Sequence, residues 1–517
     1  MADIVLLTES QISAQFNKYD EVAIISNAGR RENLLPHDIH LNIVLLGTCL
    51  EQSGYDVALI DNFLHLKTQF MLLEEELKKE PLAVGISTTF FYDETSVKKI
   101  AAFVKKHAPY SSIILGGPSL LQFPELIEVG DVAVLFDGEE VIPKIMAALR
   151  NDRESLYDIP GLYVKSNSGM VFTGDRAPIQ MDQIPFPNWN LLKRSRHLIY
   201  PIETLRGCTH CCKYCTYPLY SMKGGKLRLR DNAAVVEELK RNYHEYGIYR
   251  YRICDSSFTA PTRRARELCS MIARENLNLE WSCYGRVDDI TDELGSVMKE
   301  AGCRTIFIGI ESGSDAILKN MDKRFTQREV YRGIKSLKKV GISIAGSFII
   351  GFPGETAKTV EETKKLIMSC GLDSYIASLF WLDHNSQIWQ EKEKYSLGGK
   401  CMDWYHDTLN SKEAKTLLSN LLQDVFINNG PSLGSDFDIV SLVNLGLSFE
   451  NALQFIKDRH SINLKRSLMA KDQPHSFIDG ETMTKVQARH ARDLMVIAKN
   501  SSVFRKDSSQ LEHCMIL

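Results

Sequence analysis

Short apolar runs alternate with amphipathic stretches along most of the 517-residue chain. In the first 150 residues the runs VALIDNF (57–63), LAVGISTTFF (82–91), SIILGGPSL (112–120) and VAVLFDGEE (132–140) read as strands that end in turns. The apolar run near the N-terminus reads as a first strand. IHLNIVLLGTCLEQSGYDV and DETSVKKIAAFVKKHAP carry helical spacing between them. This pattern predicts a doubly wound sheet, with glycines at the strand ends where such sheets take ligands.

A second series starts near residue 199. Strands are predicted at 199–205, 251–259, 279–287, 304–312, 342–352 and 374–382, separated by helices such as TRRARELCSMIARE and AKTVEETKKLIMS. Six strand–helix units predict a parallel barrel or open sheet. Between the two series, residues 157–189 read as a hairpin followed by an extended Pro-rich linker. The chain thus divides into 1–150, 151–195, 196–390 and a helical, polar C-terminal region, 391–517. In that last region, Cys401, Asp403, Trp404, Tyr405 and His406 form one concentrated segment, read either as a lid over the barrel mouth or as packing around a helix N-cap.

Composition narrows the class. A 44% hydrophobic, 25% charged chain fits a globular protein. A net charge of −3 points to neither nucleic acid nor an anionic membrane as partner. No apolar run reaches spanning length, and the N-terminus lacks the basic flank of a secretory signal, so a cytoplasmic location is expected. Twelve cysteines in a reducing compartment are not a disulfide framework. Cys49, Cys254, Cys269 and Cys303 read as small buried apolar residues.

The stretch ETLRGCTHCCKYCTYP (203–218) is different. Without Cys211, the residues Cys208, Cys212 and Cys215 give C-x3-C-x2-C. Three thiolates on one loop suit three corners of a four-iron cluster, leaving one iron open to a substrate or cosubstrate. A zinc loop with His210, or a fortuitous Cys-rich turn, is the alternative. The loop follows a predicted strand, at the end where α/β folds place their chemistry.

This spacing, with Tyr214 just before the last cysteine, resembles the signature of the radical S-adenosylmethionine (radical SAM) superfamily. The resemblance covers residues 35–390. It implies a partial (β/α)6 barrel, a [4Fe-4S] cluster on Cys208, Cys212 and Cys215, and cleavage of SAM to a 5′-deoxyadenosyl radical. It implies an electron donor such as flavodoxin or ferredoxin. SAM or substrate contacts are then expected at Asp255, Ser256 and Arg286, at Gly309, Glu311 and Ser312, and at Gly351 and Pro353. The first series resembles the cobalamin-binding domain found upstream of many such enzymes. Ser87, Thr88, Gly116, Gly117, Gly138 and Glu139 would then line the cobalamin face. The D-x-H-x-x-G motif that gives cobalt a histidine in other cobalamin proteins is absent, Asp61 and His65 standing at the wrong spacing, and the usual proline-rich opening is reduced to LLPHD (34–38). The resemblance implies cobalamin-dependent methylation of an unactivated carbon or phosphorus in a small-molecule or peptide substrate. The alternative is cobalamin-independent epimerisation of a ribosomally made peptide, with Cys401 as hydrogen donor.

Overall fold

The computed structural model describes residues 2–8, 39–63, 67–89, 94–192, 199–217, 227–428, 430–433, 442–443 and 448–454. His65, the LLPHD stretch and the tail beyond 454 lie outside the described residues. Two compact units divide the chain, one up to residue 192 and one from residue 199.

The first unit is built on five parallel strands: β1 (Ile4–Thr8), β2 (Val57–Asp61), β3 (Ala83–Ser87), β4 (Ser112–Gly116) and β5 (Val132–Val134). Their order is β2-β1-β3-β4-β5. All five residues of β1 are buried, as both-face coverage of a parallel sheet demands. Because β1 pairs with both β2 and β3, the strand order reverses there, and a crevice is expected at the carboxyl ends of β1 and β3. The hairpin read from 157–189 joins this sheet as β6 (Leu162–Ser166), antiparallel to β5, and β7 (Gly169–Phe172), antiparallel to β6.

The second unit carries β8 (Tyr200–Ile202), a ribbon of β9 (Leu205–Arg206) and β10 (Arg228–Leu229), then β11 (Arg250–Ile253), β12 (Glu280–Gly285), β13 (Cys303–Glu311), β14 (Ser343–Ile350) and β15 (Ser374–Leu379). The large sheet runs β8-β11-β12-β13-β14-β15, all parallel, and gains a short seventh strand, β18 (Ser432–Leu433), that the sequence pattern did not suggest. Register pairs Tyr251 with Trp281 and Ile253 with Cys283 on the helix-covered side. Arg252, Tyr284, Phe307 and Ser347 alternate onto the inner side, where they are half-buried. Cys283 therefore faces Cys303 and helix residue Cys269, away from the barrel interior.

The C-terminal region opens with a short helix, Lys392–Tyr395, then a hairpin that was not expected, β16 (Gly398–Lys400) and β17 (Asp403–Tyr405), followed by the helix Ser411–Ile427. Asn410 and Glu413 form a capping box at that helix start. Trp404 is buried, donates from Nε1 to the Phe380 carbonyl at 2.8 Å and stacks on His406. These two residues are packing, not lid, while Met402 and Tyr405 are exposed. Cys254, expected inside, is exposed, because it lies just past the last residue of β11.

Candidate active site

Gly207, at φ +95°, turns the chain out of β9 into the cysteine loop, a conformation that favours glycine. Two backbone bonds dock the loop: Lys213 N–H donates to the Met321 carbonyl at 3.0 Å, and Ile388 N–H donates to the Lys213 carbonyl at 2.9 Å. Cys211 is exposed, Cys212 buried, and Cys208 and Cys215 half-buried. Burial and the neighbouring sulfurs push the Cys215 thiol up to about 12, and the same causes raise Cys208. The three sulfurs thus feel one another. Among the described residues no group of three Cys, His, Asp or Glu side chains is placed to hold a single metal ion. Three thiols on one loop suit three corners of a multi-iron cluster. Burial and the Arg286 charge lower His210 to about 4, leaving its imidazole neutral near pH 7.

Buried charge surrounds this loop. Glu311 ends β13 at φ +73° and accepts from Tyr214 Oη at 2.9 Å and Ser347 Oγ at 3.1 Å. Lys323 Nζ lies 3.6 Å from Glu311 and donates to Tyr214 Oη at 3.3 Å. Burial and Glu311 hold the Tyr214 phenol well above its ordinary range, so it remains a donor. Arg286 pairs with Asp288 through two 3.0 Å bonds, donates to the Lys323 carbonyl, and points Nη1 at Cys212 Sγ, 3.8 Å away. Tyr214 was singled out in the sequence only as part of the cysteine signature, and Lys323 and Ser347 not at all. Lys323 sits in the unremarkable string NMDKRF, and only the fold brings it to β13.

Several sequence-predicted contacts have other work. Asp255 is fully buried and accepts from Thr204 N–H at 2.7 Å, Leu205 N–H at 3.1 Å and the Thr204 hydroxyl. Arg264 completes this brace on Thr204. Asp255 therefore holds the approach to the cysteine loop instead of facing a ligand. Ser256 donates to the Gly207 carbonyl in the same turn. Ser312 is fully buried against Thr363. A Cβ on Gly309 would lie 2.4 Å from the Glu311 carboxylate, so this glycine is needed for Glu311 to fold back over β13.

Gly351 adopts φ +95°, and a Cβ there would lie 2.4 Å from the Trp404 ring. The glycine is thus required by the hairpin packed on it, and the His406 ring meets its carbonyl at 3.1 Å. Pro353 is buried in the same turn, and its carbonyl accepts from Asn320 Nδ2 at 3.3 Å. Glu355 closes the turn by accepting from Gly351 N–H, while its Oε1 is buried without a partner. Burial raises the Glu355 carboxyl from 4.5 to about 8. The folded protein therefore keeps a proton that the unfolded chain releases above pH 4.5. This stabilising difference is complete below the unfolded value and is lost as pH rises through the folded one. Wild type is expected to lose melting temperature between pH 5 and pH 8, and Glu355→Gln to show a flatter profile, in scanning calorimetry across that range. Parallel profiles would place the proton elsewhere.

In the first unit, Ser87, Gly116 and Gly138 sit half-exposed at or beyond the carboxyl ends of β3, β4 and β5. Asn42 Nδ2 donates to Ser87 Oγ at 3.0 Å, and Thr89 bonds the same hydroxyl at 2.9 Å. Thr88, expected on the ligand face, is fully buried and bonds the Gly116 carbonyl through its N–H and its hydroxyl. Gly117, at φ +128°, is glycine because a Cβ would strike Thr88 and the Thr89 backbone. At Gly138 a Cβ would meet Leu46. Glu139 is buried. Gly116 alone of these glycines has nothing within 4 Å of an added Cβ.

Comparison with known proteins bears on both units. A model of the radical SAM superfamily matches residues 202–367. An uncharacterized methyltransferase of Pyrococcus horikoshii is 33% identical over 346 residues, 64% of this chain and 74% of the relative. Cytidylyl-2-hydroxyethylphosphonate methyltransferase of Streptomyces wedmorensis is 25% identical over 67% of this chain and 76% of its own length. Among solved structures, the radical SAM methyltransferase TsrM of Kitasatospora setae, with cobalamin and a [4Fe-4S] cluster bound, aligns with TM-score 0.67 at 18% identity, over 90% of this chain and 100% of TsrM. That likeness concerns the fold, a cobalamin-binding-type unit followed by a radical SAM barrel. With its cysteine loop at the head of a seven-stranded parallel sheet, and a relative this similar over most of its length, the chain belongs to the radical SAM superfamily of enzymes.

Proposed function

We propose that this enzyme transfers a methyl group to an unactivated carbon or phosphorus centre with the help of cobalamin. One observation carries the reading: a single chain presents both a three-thiol loop and a doubly wound parallel sheet whose strand order reverses at β1, with the unobstructed Gly116 at the carboxyl end of β4. The methyltransferase names of two relatives support it. In this reading residues 1–150 hold cobalamin, with Ser87, Gly116, Gly138 and Glu139 at its face. Residues 196–390 hold the cluster on Cys208, Cys212 and Cys215. Glu311, Arg286, Gly351 and Pro353 border SAM, and Asp255 and Ser256 keep the loop in place. Bound together, these cofactors supply the electron, the hydrogen-abstracting radical and the methyl group. The protein fixes their positions and keeps water from them. The substrate is a small molecule or a peptide, the electron donor a flavodoxin or ferredoxin, and the compartment the cytoplasm; among the described residues no helix is long and apolar enough to cross a membrane.

Cys401 supports a second reading, peptide epimerisation. It sits in the β16–β17 turn, half-buried, and its backbone pairs with Leu382 through bonds of 2.8 and 2.9 Å, just beyond the carboxyl end of β15. A hydrogen-returning thiol would stand on this side of the barrel. Mass spectrometry of product formed in deuterated water separates the readings. Methyl transfer adds one CH2 and tolerates Cys401→Ala. Epimerisation adds one deuterium at a backbone Cα, and Cys401→Ala makes SAM cleavage unproductive. A product with neither change sinks both.

A further inference from the structure

The cysteine loop is flanked by two buried cations. Arg286 is 6% exposed and Lys323 is 3% exposed. They are tied together: Arg286 donates to the Lys323 carbonyl, and both cationic groups lie over the Phe325 ring, at 5.2 and 5.3 Å from its centroid. Each also has its own anion, Asp288 for Arg286 and Glu311 for Lys323. Burying a charge costs several kcal/mol unless a partner compensates, so two such cations beside one loop are a considerable investment of the fold. Arg286 Nη1 is 3.8 Å from Cys212 Sγ, and Lys323 reaches the loop through the hydroxyl of Tyr214, which lies between Cys212 and Cys215.

We propose that Arg286 and Lys323 are positioning residues that set the reduction potential of the cluster. The inference rests on the assignment of Cys208, Cys212 and Cys215 as its ligands. Three thiolates leave a four-iron cluster anionic, and the electron it accepts makes it more so. A fixed positive charge at the sulfurs stabilises the reduced form preferentially, as hydrogen bonds and charge near the sulfurs do in iron–sulfur centres generally. Arg286 acts at Cys212 directly. Lys323 acts through space and through the orientation of Tyr214.

Four variants of the reconstituted full chain test this: Lys323→Met, Lys323→Arg, Arg286→Gln and Arg286→Lys. The readout is the midpoint potential, from redox titration followed by electron paramagnetic resonance, with iron and sulfide content measured on the same samples and no SAM added. Lys323→Met and Arg286→Gln are expected to move the potential negative, enough to lower the reduced fraction at a fixed poise about tenfold, equivalent to about 59 mV for one electron. Lys323→Arg and Arg286→Lys are expected to restore most of it. An unchanged potential in Lys323→Met at full iron content overturns the proposal. So does equal cluster loss in Arg286→Gln and Arg286→Lys with an unshifted Lys323→Met, which would make Arg286 a structural brace. Failure of the ligand assignment looks different, since iron is then retained when Cys208, Cys212 or Cys215 is replaced.

Discussion

Replacing Cys208, Cys212 or Cys215 singly by Ala is expected to abolish the iron–sulfur absorbance and bring SAM cleavage to background, whereas Cys211→Ala keeps both. The sequence offers four thiols within eight residues, and spacing alone leaves a choice among them. Exposure resolves it. Cys211 faces solvent, while Cys212, its neighbour, is buried beside Arg286. Adjacent residues on an extended loop point in opposite directions, so both cannot serve one cluster. The loop itself should survive each replacement, because its docking rests mainly on the Lys213 backbone and the Asp255 brace. Iron and sulfide analysis, absorbance near the thiolate–iron bands and detection of 5′-deoxyadenosine check the prediction. Bleaching by Cys211→Ala together with survival of Cys208→Ala would put the ligand register one residue off.

How much of this was legible in the sequence depended on whether the signal was local. The strand–helix alternation, the glycine that turns into the cysteine loop and the C-x3-C-x2-C spacing are local, and the fold follows them. The seventh strand was not legible, because two residues, Ser432 and Leu433, carry no periodicity. The segment 401–406 was left between a lid and packing around a helix N-cap because its aromatic residues have the density of a site. Trp404 and His406 in fact complete the packing over Gly351. At Gly309, Gly117, Gly138 and Gly351 the pattern suggested close approach of a ligand, and within the fold a Cβ would also meet Glu311, Thr88, Leu46 or Trp404. The need for a small residue is readable from sequence, and the identity of what approaches it is not. Lys323 shows the converse: a residue with no local signal acquires a role when the turn after Asn320 sets it against Glu311 and Tyr214.

Gly116→Trp is expected to eliminate cobalamin retention and product methylation while leaving the cluster and uncoupled SAM cleavage intact. Gly117→Trp is the worse probe. Gly117 stands at φ +128°, where an L side chain is strained, and its Cβ would lie 2.9 Å from Thr88 Oγ1 and 3.0 Å from the Thr89 nitrogen. A loss of function there would report damage to the β3–β4 strand ends. Gly116 closes β4 without a positive φ, and nothing within 4 Å opposes its Cβ. An indole at that position fills the open space beyond the end of β4 with little demand on the backbone. Excluding a cofactor sterically costs about 3 kcal/mol or more, a hundredfold or greater loss of affinity. The cluster is expected to be indifferent, because its loop is docked on Met321 and Ile388 and braced by Asp255, all within the second unit. The measurement is the visible spectrum of protein produced with cobalamin available, before and after cluster reconstitution, with 5′-deoxyadenosine and methylated product quantified in parallel. Full retention of cobalamin by Gly116→Trp would move the site away from β4. A wild type that never retains cobalamin under any loading condition would remove methyl transfer as the function and leave the Cys401 reading to be tested.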